Sequence, residues 1–105
     1  MLELLRDEVG LTERAIARAV GVTDRTVRRW NVGGPITTDN VERLDDLKTL
    51  VTQLASLGLS PPTIVAWLHG RNPFLQDRRP LDVLASGDFD AASGAVSALR
   101  DGSYA

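Results

Sequence analysis

Apolar residues recur along this chain at steps of three and four, and glycine or proline interrupts them at each change of phase. With 3.6 residues per helical turn, that period is the mark of amphipathic helices. Leu2, Leu5 and Val9 form a first short stripe, which Gly10 ends. Thr12 is placed to cap a second run with Ile16, Ala17 and Val20 on its inner face and Gly21 as its stop. Thr23 caps a third over Asp24 to Trp30. Gly33, Gly34 and Pro35 then make the first strong break.

The longest stripe follows. Val41, Leu44, Leu47, Leu50, Val51, Leu54 and Leu57 predict a helix from about Asp39 to Leu57, with Asp39 and Glu42 as a capping-box variant. Ser60, Pro61 and Pro62 open the next helix, because proline is tolerated in a first turn. Ile64, Val65, Trp67 and Leu68 lie along it and Gly70 ends it, with Trp67 read as core and His69 as a dipole-favourable last-turn residue. Residues 71–79 show no period and contain Asn72-Pro73, a turn signal. Pro80 starts a short helix through Leu81, Val83 and Leu84, stopped by Gly87. Asp88 caps the last, with Phe89, Ala92, Val96 and Leu99 on one face and Gly102 at its end. No segment alternates with period two, so the expected fold class is all-α.

Composition narrows the chemistry. The 105 residues suggest one domain, or a small domain with an appendage. There is no cysteine, which excludes disulfides and thiolate zinc sites, and His69 is the sole histidine. No nucleophile and base stand at a recognisable spacing, so an enzyme is disfavoured and no catalytic residue, cofactor or metal is expected. Five aromatic residues are too few for a single-strand stacking platform. Glu3, Arg6, Asp7 and Glu8 do not resemble a signal peptide, and no apolar stretch reaches membrane-spanning length. The expected location is cytoplasmic, with no membrane partner.

The run from Glu13 to Trp30 has helix-turn-helix spacing: Ala17, Gly21 four residues later, Val27 six later. A small residue lets the two helices cross closely, and glycine suits the left-handed turn. Val22, Val27 and Trp30 would anchor the second helix against Ile16. In a DNA complex that second helix enters the major groove. Its outward residues would be Asp24, Arg25, Arg28 and Arg29, with Thr26 at the edge. Arg25 or Arg29 could reach guanine in bidentate fashion, with Arg28, Arg14 and Arg18 toward phosphates. The net charge of −2 divides at Pro35. Residues 1–35 hold six basic and five acidic residues, for +1, and residues 36–105 hold six and nine, for −3. A slightly basic unit over 1–35 therefore precedes an acidic helical domain over 36–105. DNA binding by a single copy would be weak and salt-sensitive, so a homodimer on two half-sites is expected.

In the second half, Trp67, Asn72-Pro73, Leu75, Arg79-Pro80-Leu81-Asp82, Leu84 and Gly87 are followed by Val96, Leu99 and a terminal Gly102-Ser103-Tyr104-Ala105. That order and spacing resemble the toxin-binding domain of Xre/ParS/MbcA-type antitoxins, which pair it with an N-terminal helix-turn-helix. The resemblance implies an antitoxin that neutralises an NAD-consuming RES-domain toxin encoded beside it, in a hetero-oligomer, and that represses its own operator DNA. It also implies that Gly102, Ser103, Tyr104 and Ala105 plug the toxin's active-site entrance, with Arg78 and Arg79 at the interface. Gln76-Asp77 depart from the family pattern, standing where a glycine-containing turn is expected. A tail ending in an aromatic and a carboxylate has physical sense as a plug for a phosphate-binding pocket. Read without the resemblance, it would fray as most termini do. Arg71, Arg78 and Arg79 around Asp77 read either as a solvated turn or as a contact surface for an acidic partner. The alternative function is a stand-alone repressor of phage or plasmid type, whose second half only dimerises.

Overall fold

Hydroxyl and carboxylate side chains set most of the helix starts. The oxygens of Thr12, Thr23, Thr37, Ser60 and Asp88 accept from the N–H groups of Ala15, Thr26, Asn40, Thr63 and Ala91 at 3.0–3.4 Å. Each cap satisfies one of the N–H groups that a helix start leaves without a partner. The computed structural model describes residues 2–102. The caps open α1 (Glu13–Val20), α2 (Asp24–Asn31), α3 (Thr38–Ser56), α4 (Pro61–His69) and α6 (Phe89–Asp101). α5 (Pro80–Ala85) starts on its proline without a side-chain cap. Among the described residues the only β pairing is an isolated bridge between Asn72 and Arg78, so the chain is all-α.

Three expectations are corrected. The α3 cap is Thr37, two residues before Asp39: its extended backbone aims Oγ1 at the Asn40 N–H, which leaves Glu42 outside the box position. The first stripe forms a single π-helical turn, Leu4–Glu8, in which the Val9 N–H reaches back five residues to the Leu4 carbonyl at 3.0 Å. It still buries Leu2, Leu5 and Val9. Trp67 packs against the core from its margin, half-buried, and does not sit within it.

One buried cluster runs from Leu2 to Val96 and draws on every helix. α3 passes through it, with Leu44, Leu47, Leu50 and Leu54 fully buried. Each such side chain contributes about 1.5–3 kcal/mol through burial. α1 packs on α2, α3 and α5, and α6 on α3 and α5. Residues 2–35 and 36–102 thus share a core. Arg43 of α3 fastens the end of α5: its Nη1 donates to the carbonyls of Ala85 at 2.6 Å and Leu84 at 3.3 Å. A cation there meets the Ala85 carbonyl, adds to the Leu84 carbonyl that the Gly87 N–H already engages at 2.9 Å, and complements the helix dipole. Gly87 faces this guanidinium: its φ of +85° favours glycine, and a Cβ would lie 3.0 Å from Arg43 Nη2, so the guanidinium would have to shift.

Candidate functional site

α1 and α2 meet through Gly21, whose φ of 87° lets its N–H and that of Val22 both donate to the Ala17 carbonyl, at 2.8 and 3.0 Å. Ala17 is buried at this crossing, as are Val27 and Trp30 on the inner face of α2. At 3.6 residues per turn, Arg25, Arg28 and Arg29 fall on the opposite face, within an arc of roughly 100°. All three are exposed. The helix-turn-helix spacing therefore places three guanidinium groups together on the surface.

The flanking residues are engaged with their neighbours. Asp24 is half-buried and accepts from Arg14 Nε at 3.4 Å. Thr26 Oγ1 lies 3.1 Å from Thr23 Oγ1 and accepts from Arg29 Nη2 at 3.4 Å. A cleft of about 270 Å³ opens beside this face, lined by Thr26, Arg29, Trp30, Pro35, Thr37 and Asn40. Thr37 and Asn40 escaped the sequence reading because they belong to the start of α3, distant from the motif.

Arg18 does not stand ready for a phosphate. Its Nε and Nη2 donate to the two oxygens of Asp82 at 2.6 and 3.1 Å, a bidentate pair between α1 and α5. The hydrogen bond and the charge of Asp82 raise the Arg18 pKa further above its ordinary value. The aspartate of the Pro-Leu-Asp motif thus fastens the second half to the helix-turn-helix. The motif alone gave no sign of that partner.

The second group of site residues lies on the loop between α4 and α5. A 3-10 turn, Pro73–Leu75, is built around buried Asn72. Arg78 is exposed and its Nε donates to the Leu75 carbonyl at 3.3 Å; Arg79 is half-buried and donates to the His69 carbonyl at 3.1 Å. Gln76 and Asp77 adopt φ of 59° and 64°, so the loop takes the left-handed turn without glycine. Gly102, φ 71°, ends α6 with its N–H on the Leu99 carbonyl. Ser103, Tyr104 and Ala105 lie outside the described residues. Among the described residues no group of acidic or histidine side chains could hold a metal, and no helix is long and apolar enough to cross a membrane.

A helix-turn-helix joined by a shared core to a helical half with its own basic loop defines a binding module. Comparison with known proteins gives it a family. A model described as a homeodomain-like domain matches residues 1–32. The probable mycobacterial cidal antitoxin Rv3188 of Mycobacterium tuberculosis is 35% identical over 95 residues, covering 90% of this chain and 81% of that protein. The mycobacterial cidal antitoxin MbcA of Mycobacterium bovis is 25% identical over 99 residues, covering 93% and 87%. A chain of the crystal structure of the M. tuberculosis MbcT–MbcA toxin–antitoxin complex superposes with a TM-score of 0.77 at 25% identity, covering 95% of this chain and 90% of that one. The chain belongs to the MbcA-type antitoxin family. Antitoxins act by binding and not by catalysis.

Proposed function

We propose that this chain is the antitoxin of a type II toxin–antitoxin pair, cytoplasmic, and that it binds an NAD-consuming RES-domain toxin encoded beside it. The observation that carries this reading is the end-to-end likeness to a chain of the MbcT–MbcA complex, across both halves of the fold. Gly102, Ser103, Tyr104 and Ala105 block the toxin's active-site entrance, and Arg78 and Arg79 lie at the toxin interface. α2 binds operator DNA through Arg25, Arg28 and Arg29, with Asp24 and Thr26 at the edges of that surface, and represses the antitoxin's own operon. The exposed arginine face and the complete helix-turn-helix support this second role. Two half-sites would be read by a homodimer, or by a hetero-oligomer with toxin.

Co-expression with the neighbouring gene tests the reading. The full chain should restore growth that the toxin arrests. Deleting residues 102–105 should abolish protection and restore NAD consumption in lysates. Full protection by the truncated chain would contradict the plug.

A further inference from the structure

The loop between α4 and α5 concentrates positive charge in an otherwise acidic half. Residues 36–105 hold six basic and nine acidic residues; Arg71, Arg78, Arg79 and Asp77 give the loop +2, leaving three basic and eight acidic, or −5, for the rest. The same loop carries Phe74 at 51% exposure. Its ring lies over α6, where Cε1 would sit 3.7 Å from a Cβ built on Gly94. A large aromatic is thus propped against a helix and half-exposed to solvent, on the loop that also carries three arginines.

The loop is ordered before any partner arrives. The Asn72 N–H donates to the Arg78 carbonyl at 3.0 Å. Its carbonyl accepts from the Leu75 and Asp77 N–H groups, each at 2.9 Å. Its side-chain oxygen accepts from the Phe74 N–H at 2.9 Å. Each guanidinium is aimed by a bond to a backbone carbonyl: Arg71 to Asp77 at 3.3 Å, Arg78 to Leu75 at 3.3 Å, Arg79 to His69 at 3.1 Å; Arg71 Nη1 also lies 4.0 Å from Asp77 Oδ2, an exposed pair. With five N–H donors in a planar fork, each keeps donors for a second acceptor.

We infer that residues 71–79 are a protein-docking surface in which Phe74 enters an apolar pocket on the toxin, rimmed by acidic side chains that Arg71 and Arg78 engage. This rests on the antitoxin reading above. Aromatic and arginine side chains carry most of the energy in protein interfaces. A loop already fixed by Asn72 avoids the entropy cost of ordering on binding. Nucleic acid fits this surface less well. One aromatic is no stacking platform, and the surrounding −5 repels phosphates.

The test measures affinity of the full chain for the purified product of the neighbouring gene, with thermal melts as a folding control. Phe74→Ala should weaken binding by at least about 30-fold, the scale of an interface hot spot. Phe74→Leu should recover most of it. Arg71→Glu with Arg78→Glu should weaken binding at least about tenfold at 0.1 M salt, with a smaller gap at 0.5 M as the charges are screened. If the full chain binds and Phe74→Ala stays within about threefold of it, the inference is overturned and the antitoxin reading stands. If Phe74→Ala weakens only binding to a DNA duplex, the surface belongs to nucleic acid and the inference is equally overturned. Failure of the full chain to bind the toxin would overturn both.

Discussion

The molecule carries two triads of arginine, and they are built in opposite ways. Arg25, Arg28 and Arg29 share a face because helical geometry puts them there; neither Arg25 nor Arg28 takes part in an ion pair among the described residues. Arg71, Arg78 and Arg79 share a loop that Asn72 folds back, and each is held by a backbone carbonyl. The first triad is exposed charge along one helix face, where among the described residues Arg29 alone is bonded, to Thr26; the arrangement suits the grooves and phosphates of a duplex. The second is charge held by backbone carbonyls on a loop that also presents an aromatic, suited to one complementary shape. On the proposed reading the same residue type supports two kinds of recognition, and the backbone beneath it decides which.

The largest expected effect breaks both triads together. Leu81 of α5 is fully buried in the cluster that joins the two halves. Leu81→Ala should cost about 2–5 kcal/mol, the usual range for a core leucine. Chemical denaturation followed at Trp30 and Trp67 should show a single shifted transition. Two separate transitions would show that the halves fold independently.

A smaller pair of changes separates the triads. Asn72→Ala leaves the Phe74 N–H without its acceptor and should cost about 1–3 kcal/mol, with loss of toxin affinity and unchanged DNA binding. Thr23→Ala removes the α2 cap and should cost about 0.5–2 kcal/mol, with weakened DNA binding and unchanged toxin affinity. Urea titrations and the two binding assays check both. Crossed effects would show that the triads are not separate sites.

How much of this was legible depends on the range of the interaction. α1, α2, α4, α5 and α6 follow from local features: a period near 3.6, a cap three residues from its partner N–H, a glycine stop. Their boundaries agree with the sequence reading within about one residue. The outward face of α2 was legible for the same reason. The span of α3 was also legible to within about one residue at each end, but its cap was assigned to Asp39 because Asp39 and Thr37 are both good caps and only backbone direction chooses between them. The π-helical turn of Leu4–Glu8 was hidden because its apolar spacing also fits an ordinary helix.

The contacts that the sequence did not reveal join distant positions. Arg18 and Asp82 are 64 residues apart, and Arg43 meets the end of α5 across 41 and 42. Asn72 is an intermediate case. An asparagine before proline signals a turn, and its side chain commonly bonds the N–H two residues on, as it does here with Phe74. That signal could have marked Phe74 as a presented residue. The left-handed turn at Gln76 and Asp77 was marked only by the family resemblance, which expects glycine there; the two residue types gave no sign of it, since a turn of that shape favours glycine.

The central claim is a division of labour between two surfaces on one core. Its most direct test is the double variant Arg25→Ala with Arg29→Ala, assayed in one preparation for operator binding and for protection against the toxin. Operator affinity should fall by at least about tenfold and discrimination against a mismatched operator should relax, since Arg25 and Arg29 are the pair placed to reach guanine, a contact worth about 1–3 kcal/mol. Protection should match that of the full chain. Loss of protection in the folded double variant would contradict the account.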